Sequence, residues 1–358
     1  MWFLTHTWLL PAIMALSFVL ILFFGKRLPR KGSEIGIAAV GICFVLAVLT
    51  AGAWWNHTNS EESAEAAAAG SIALPAVEEA DPEAEAAALS DVQEGCSNVV
   101  DGLDVADEGH SASGMTPGEN AAPGAVGAPW VKLAEEGEGR GPTTPVVRCA
   151  EWFPIGSEGS SLITIGTLVD GQSVFMLFVV TIISLLVHVY STDYVNGDRR
   201  YTHYFAFLSL FTASMLFFVL SQSTIQMIVG WELVGVCSFA LIGHWWEEKP
   251  NSNAALKAFL TNRVGDIGLL VGVTILYFAA DRSFSILDIN ILAADGAISH
   301  GILLLASCCL IAAVMSKSGQ FILHTWLPDA MAGPTPVSAL IHAATMVVAG
   351  IYLVARLY

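Results

Sequence analysis

Five ionisable side chains lie inside long apolar stretches of the sequence: Glu232, Arg263, Asp266, Lys317 and His342. A charged group inside a bilayer is costly unless it is paired or hydrated, and such residues commonly mark an ion pathway. Carboxylate, amine and imidazole groups bind and release protons, so the chemistry that this set predicts is proton transfer. The histidines are too dispersed along the sequence to predict a metal site. No Ser/His/Asp or Cys/His set lies at a suitable depth for nucleophilic catalysis.

Lys317 is the residue on which this interpretation depends most. It lies deep in an apolar segment, within the sequence Ser316-Lys317-Ser318-Gly319-Gln320. Small residues beside it loosen a helix, so we expect a broken helix that faces protein or water and not lipid. Lysine suits a reversible proton carrier, with Glu232 as a relay carboxylate or as its charge partner. The alternative for Glu232 is a structural ion pair that never titrates.

Two further features complete the predicted relay. Arg263 and Asp266 are three positions apart and share a helix face, where they form a local salt bridge or where Asp266 modulates Lys317. His342 lies six residues after Pro336. Proline suits the first position of a helix, and Thr335 before it suits the cap. At about 1.5 Å per residue, the imidazole is roughly 9 Å into that helix. There it suits a proton shuttle, although a lone histidine in an apolar helix is often a hydrogen-bonded core residue.

The elements that must position these residues are membrane spans. Crossing a bilayer takes about 20 apolar helical residues. We predict about eight spans, near 8–24, 35–55, 171–190, 204–221, 224–246 and 256–280, around the broken helix, and around His342. The predicted fold class is all-α, a polytopic membrane protein with 54% hydrophobic and 13% charged residues. Its predicted divisions are an N-terminal hairpin at 1–55, an acidic insert at 56–160 and a helix bundle at 161–358.

The net charge of −17 belongs to the insert and not to the bundle. Residues 56–160 hold 20 acidic and 3 basic side chains, whereas the rest of the chain is neutral. This Ala-, Glu-, Gly- and Pro-rich segment buries too little apolar surface to offset its ordering entropy, so we expect disorder. Cys96 and Cys149 within it form a disulfide if the segment faces an oxidising compartment. Such localised acidity gives no reason to expect nucleic-acid binding.

The densest basic cluster predicts the orientation of the chain. Lys26, Arg27, Arg30 and Lys31 follow the first apolar run. The positive-inside rule places this loop in the cytoplasm, and the N-terminus and the insert outside. We therefore expect a multi-pass protein of the cell inner (plasma) membrane.

Three motifs carry a family resemblance: Gly230-Trp231-Glu232-Leu233-Val234-Gly235; Lys257-Ala258-Phe259 with Asn262-Arg263-Val264-Gly265-Asp266; and Lys317-Ser318-Gly319-Gln320-Phe321 through His324-Thr325-Trp326-Leu327-Pro328-Asp329 to His342-Ala343-Ala344-Thr345. They resemble the antiporter-like membrane subunits of respiratory complex I, loosely over 1–55 and closely over 161–358. The last motif is highly specific for the superfamily, and less so for choosing among its members.

The resemblance implies a subunit of a proton-pumping NADH:quinone oxidoreductase that carries no redox centre of its own. NADH, FMN, iron–sulfur clusters and quinone are then expected on partner subunits, with adjacent antiporter-like subunits and the lipid bilayer as neighbours. It implies that Glu232 pairs with Lys317 and that H⁺ passes through water and His342. Members of the family continue well beyond the eighth span, so we expect the chain to be an N-terminal half.

Three other functions fit the same motifs. One is the large subunit of a multisubunit Na⁺/H⁺ antiporter, which Na⁺-dependent transport would favour. A second is a membrane subunit coupled to other chemistry, such as a hydrogenase or an inorganic-carbon uptake complex. A third is a structural scaffold with a degenerate path, which the joint presence of Glu232, Lys317 and His342 disfavours.

Overall fold

A computed structural model describes residues 2–59, 145–155 and 161–357 of the protein. Its elements in chain order are α1 (Trp2–Thr5), α2 (Leu9–Phe24), a 3₁₀ turn (Gly25–Arg27), α3 (Ser33–Asn59), β1 (Val146–Ile155), β2 (Ser161–Val169), α4 (Gly171–Tyr194), α5 (Tyr201–Val219), α6 (Thr224–Ile242), α7 (Lys249–Ala279), α8 (Ile286–Ala294), α9 (His300–Lys317), α10 (Trp326–Asp329), a 3₁₀ turn (Ala330–Ala332), α11 (Thr335–Ala339), a π turn (Leu340–Ala344) and α12 (Met346–Arg356). The prediction of disorder falls mostly on 60–144 and 156–160, which lie outside the described residues.

Eight helical segments in the described ranges are long and apolar enough to cross a membrane. They are α2 to α7, α9 and the stretch from α11 to α12, with the hairpin β1–β2 standing between α3 and α4. The predicted all-α, multispan fold class is confirmed. A helix satisfies its own backbone hydrogen bonds, which is why apolar runs of this length cross a bilayer as helices.

The hairpin β1–β2 was not predicted, and β1 falls inside the stretch assigned to the acidic insert. Its strands are antiparallel, with Val146 opposite Val169. The β-branched and aromatic residues in VVRCAEWFPI and SLITIGTLV favour strands. Val146–Ile155, within the predicted insert, is therefore regular structure.

Hydrogen bonds tie β2 to the junction between α5 and α6. The side-chain amide of Gln226 accepts from the N–H of Gly166 and donates to its carbonyl, at 2.8 Å each. The hydroxyl of Ser223 donates to the carbonyl of Thr164 at 3.0 Å. This Gln226 clasp holds the hairpin over one end of the bundle.

At the same end, Asp170 caps α4. Its carboxylate accepts from the N–H of Ser173, and the Ser173 hydroxyl accepts from the N–H of Asp170, both at 2.8 Å. Such a capping box satisfies two backbone donors that the helix leaves free. Arg356, at the end of α12, donates to the Asp170 carboxylate and to the Tyr352 hydroxyl at 2.5 Å each.

The cysteines follow the sequence interpretation in part. Cys149 is disulfide-bonded, whereas Cys96 lies outside the described residues. Cys43 and Cys237 are buried and free, whereas Cys308 is free and exposed.

Helices α7 and α9 approach so closely that side chains are excluded between them. A Cβ added at Gly265 would lie 1.9 Å from the Oγ and 2.4 Å from the Cβ of Ser316. A Cβ at Gly268 would lie 2.4 Å from the carbonyl oxygen of Cys309. Small residues let membrane helices pack backbone against backbone, which positions the end of α9 against α7.

The predicted break occurs directly after Lys317, where α9 ends. Gly319 has φ +58° and Ile322 has φ +81°, so the chain turns through the left-handed region twice. For a branched residue such as Ile322 this conformation is strained. The indole Nε1 of Trp326 donates to the carbonyl of Ser316 at 2.8 Å, which satisfies one of the carbonyls that the helix end leaves free.

The last span contains a second irregularity, around His342. It starts at Thr335 with Pro334 as the preceding cap residue, one position before the predicted start at Pro336. The π turn Leu340–Ala344 follows and carries His342, before α12 resumes as a regular helix. π turns are rare and occur frequently at functional sites.

Candidate functional site

Lys317 is fully buried at the end of α9. Its Nζ donates to the backbone carbonyl of Trp231 at 3.0 Å and lies 5.0 Å from the centroid of the Trp231 ring. Gly235 on α6 provides the space, because a Cβ there would lie 3.1 Å from Nζ. An ammonium group is thus held between α6 and α9, close to an aromatic face that attracts cations.

Two carboxylates lie near this ammonium without touching it. Asp266 and Glu232 are both close enough to attract Lys317 electrostatically. Neither forms a salt bridge with Lys317 in the described part of the chain. The pairing of Glu232 with Lys317 that the family resemblance implies is therefore not the arrangement observed here.

Glu232 instead pairs with Arg263, through a direct contact between its Oε2 and the arginine Nη1. The same Nη1 lies 3.8 Å from the Oδ2 of Asp266, so the predicted local pair of Arg263 and Asp266 is present but longer. Asp266 also accepts a hydrogen bond of 2.6 Å from the indole Nε1 of Trp231. Trp231 thus contacts both signs of charge, binding Asp266 with its ring and Lys317 with its carbonyl.

The four charges run from the interior of the bundle to its lateral surface. Lys317 is 0% exposed, and the side chains of Asp266, Glu232 and Arg263 are 6%, 24% and 39% exposed. A charged group is costly at membrane depth. Glu232 and Arg263 are only partly buried by the rest of the chain, so each one stabilises the charge of the other. The arrangement forms a charged row from the bundle surface to Lys317.

His342 stands apart from this row. Both of its ring nitrogens are buried and have no hydrogen-bond partner among the described residues. Its ring centroid is 6.3 Å from that of Trp326, whose indole binds the carbonyl of Ser316 next to Lys317. The structure therefore brings together four of the predicted residues, Glu232, Arg263, Asp266 and Lys317. His342 lies outside this set and is linked to it through Trp326.

Sequence reasoning missed the roles of Trp231 and Trp326. Buried tryptophans need a partner for the indole N–H. Trp231 donates to Asp266 in the charged row, and Trp326 donates to the carbonyl of Ser316, the residue before Lys317. The available signal was the position of Trp231 directly before Glu232 in an apolar span. No signal along the sequence indicated that its carbonyl would accept from Lys317.

A second polar cluster lies outside the spans, between α4 and α5 and after α6. His244 Nε2 and Asp198 Oδ2 are 3.2 Å apart, and Trp245 Nε1 donates to the same oxygen at 2.9 Å. Burial lowers the pKa of His244 from 6.5, although the Asp198 charge works against that shift. Burial works to raise the pKa of Asp198, but hydrogen bonds from the Arg200 amide and Trp245, with the neighbouring His244, outweigh it and hold this pKa below 3.8.

Within the described ranges, no group of three or more His, Cys, Asp or Glu residues could hold a metal ion. The charged row could exchange protons between a lysine and two carboxylates, and His342 lies outside the row as a separate group that can bind and release a proton.

Comparisons with known proteins show which families the chain is similar to. Residues 221–358 match the family described as NADH:quinone oxidoreductase/Mrp antiporter, TM, and residues 152–205 match NADH-Ubiquinone oxidoreductase (complex I), chain 5 N-terminus. The charged row and His342 all lie in the first match.

Curated proteins that are similar to this chain are named as NAD(P)H-quinone oxidoreductase subunits. The chain is 47% identical to NAD(P)H-quinone oxidoreductase chain 5 of Synechocystis sp., over 58% of this chain and 30% of that protein. It is 49% identical to NAD(P)H-quinone oxidoreductase subunit 5, chloroplastic, of Zygnema circumcarinatum, over 54% and 28%. The chain thus spans about 30% of the length of the first of these relatives and slightly less of the second.

Solved structures share the fold. A chain of the Mrp complex from Dietzia sp. DQ12-45-1b matches with a TM-score of 0.53 and 29% identity, over 60% of this chain and 23% of that one. A chain of the membrane-bound sulfane sulfur reductase, an archaeal respiratory membrane complex, matches with a TM-score of 0.62 and 15% identity, over 98% and 53%, which shows the fold alone. The helical part of this chain is thus similar to the antiporter-type membrane subunits of NADH:quinone oxidoreductase and Mrp antiporters.

Proposed function

We propose that the chain is a proton-translocating membrane subunit of an NAD(P)H-quinone oxidoreductase, of the type of subunit L. The observation that carries this proposal is the fully buried ammonium of Lys317 at a helix break, with Asp266 and Glu232 acting on it. A lysine at such a place is a functional candidate because a purely structural role would not require a charge there.

In this mechanism, Nζ of Lys317 holds the proton in transit. The Trp231 carbonyl can only accept a hydrogen bond, and both the ammonium and the neutral amine can donate one. The hydrogen bond of 3.0 Å therefore positions Nζ in either protonation state. Gain and loss of the proton then change the charge without moving the nitrogen.

Two cations, Arg263 and Lys317, interact electrostatically with Glu232. In the present arrangement it contacts Arg263, whose side chain is 39% exposed and borders the surface of the bundle. We propose that Glu232 exchanges between these partners as Lys317 gains and loses its proton, with Asp266 stabilising the charged lysine. His342 passes the proton onward through water.

The rest of the assembly follows from the same proposal. NADH, FMN, iron–sulfur clusters and quinone are bound by partner subunits, and adjacent antiporter-like subunits cover the lateral surface. The transported species is H⁺. The membrane is the cell inner membrane, with the basic loop at 26–31 on the cytoplasmic side.

The test uses the assembled complex in proteoliposomes. Lys317→Ala and Glu232→Gln are expected to lower the number of protons pumped per electron pair sharply, while the chain remains in the complex. A matched control is Lys257→Ala, which removes an exposed lysine that pairs with Asp329 at 2.6 Å, away from the charged row. Full pumping by both Lys317→Ala and Glu232→Gln would refute the proposed channel.

A second function is favoured by the Mrp matches. The large subunit of a Na⁺/H⁺ antiporter would use the same buried lysine without redox partners. Transport that requires a Na⁺ gradient, and that is indifferent to NADH and quinone, would establish this alternative.

A further inference from the structure

A cleft of about 470 Å³ opens where α5 begins, α6 ends and α7 begins. His203, His244 and Arg200 are among the residues that line it. One water molecule takes about 30 Å³ in the liquid, so a cleft of this size with polar residues in its wall holds several. A Cβ at Gly25, which precedes the basic loop, would lie only 2.6 Å from the Cγ2 of Thr202 on α5. The cleft therefore lies at the same end of the bundle as that loop.

The inner end of the cleft is formed by Phe239, the lining residue that lies nearest the middle of α6. Its ring centroid is 5.3 Å from that of Phe259 on α7. Aromatic rings at this separation are in direct contact, which leaves no room for water between them. These two rings, the Phe239–Phe259 pair, therefore form an apolar barrier across the groove between α6 and α7.

The charged row begins on the other side of this barrier. The Arg263 guanidinium lies 4.9 Å from the centroid of the Phe259 ring, and Arg263 contacts Glu232 directly. Glu232 is seven positions before Phe239 in α6, which places both on one helix face. Phe259 and Arg263 are four positions apart in α7 and share a face in the same way. Contacts thus run from the cleft to the outer end of the charged row through two aromatic rings.

Phe239 is less constrained than a residue of the core, because its side chain is 40% exposed. A partly exposed ring changes rotamer without leaving a cavity in close-packed surroundings, which a fully buried ring does not. Apolar constrictions exclude water while they are narrow and admit it when they widen. Separation of the Phe239–Phe259 pair would therefore join the water of the cleft to Glu232.

We propose that the cleft is the site where protons enter the charged row, and that the Phe239–Phe259 pair is the gate between the cleft water and Glu232. This inference rests on the proposed function, because it assigns an entry point to the same relay. When the pair separates, a hydronium ion in the cleft gives its proton to the Glu232 carboxylate, which becomes a neutral carboxylic acid, and water is left behind. When the pair closes, the charged row is sealed from the cleft and the proton does not return.

The test measures passive proton flux in proteoliposomes that hold the assembled complex, without NADH, after a pH difference is imposed across the membrane. Phe239→Ala removes one ring of the gate and is expected to raise the flux severalfold. Phe259→Leu keeps an apolar side chain and should raise it less. The matched control is Phe178→Ala on α4. It removes a ring that is 37% exposed and packs on Phe44, with the ring centroids 5.9 Å apart, away from the cleft.

The double variant Phe239→Ala with Glu232→Gln should return the flux to the wild-type value, because the leak runs through the carboxylate. Wild-type flux in Phe239→Ala would overturn the gate, and so would an equal rise in Phe178→Ala or a leak that persists in the double variant. Quinone reduction by each variant shows that the complex is assembled. The proposed function is decided separately by Lys317→Ala. If that variant stops pumping while Phe239→Ala does not leak, only the entry site is wrong.

Discussion

Gly265→Ala is the change for which the structure makes the sharpest prediction. The added Cβ would meet the Ser316 Oγ at 1.9 Å, its Cβ at 2.4 Å and the Ala312 carbonyl oxygen at 3.0 Å. Rotation of the serine hydroxyl relieves the first contact but not the other two, so α7 and α9 must separate. Overpacking of this kind costs about 1–3 kcal/mol of folding free energy. Because Ser316 precedes Lys317, the same movement displaces the buried ammonium.

The assay is equilibrium unfolding of the full chain in mixed detergent micelles, followed by circular dichroism. The control is Gly52→Ala in α3, where nothing lies within 4 Å of the added Cβ. It should gain up to about 1 kcal/mol, because alanine is the better helix former. The double variant Gly265→Ala with Ser316→Gly should recover part of the loss. Equal stability of Gly265→Ala and Gly52→Ala would refute the close approach of α7 and α9.

Three further predictions concern other contacts. Gln226→Ala removes both hydrogen bonds of the clasp to Gly166 and should cost about 1–3 kcal/mol, measured by the same unfolding titration. The pKa of His244 is lower in the folded than in the unfolded chain, so the unfolded chain binds a proton at His244 first as the pH falls. The free energy of unfolding should therefore decrease as the pH drops below 6.5. His244→Gln should flatten this dependence, measured by unfolding at pH 5 to 8. Arg263→Gln leaves Glu232 without its direct partner at membrane depth, so it should reduce the yield of folded chain more than the double variant with Glu232→Gln does. A greater loss in the double variant would contradict the last prediction.

The helix break could be predicted from the sequence because its cause is local. Ser318 and Gly319 follow Lys317 directly, and a residue such as Gly319 takes a positive φ at no steric cost. The cap of α4 by Asp170 is local in the same sense. Features set within one turn of chain are encoded by the residues of that turn.

The partner of Glu232 could not be predicted in this way. Spacing along α7 places Arg263 and Asp266 on one face, but the rotation of α6 and α9 about their own axes decides which charges meet. That rotation results from close packing across glycines such as Gly265, and from the space that Gly235 leaves for Lys317. These distances involve residues far apart in the chain.

The hairpin was missed for a different reason. Its first strand follows a long acidic stretch, and the composition of the whole segment concealed ten residues with a strand-like pattern. Gln226 and Ser223, which fix β2, lie beyond the next two helices. Pairing with such remote partners stabilises a strand that its own neighbourhood does not predict.

The π turn at His342 gives the last span an adjustable register. A π turn contains one more residue than an α turn, so its conversion into regular helix would rotate everything after it by about 100°. Arg356 would then leave Asp170, and the anchor at the far end of the span would open. Any change in the pitch of this turn is therefore transmitted along one helix to the contact between Arg356 and Asp170.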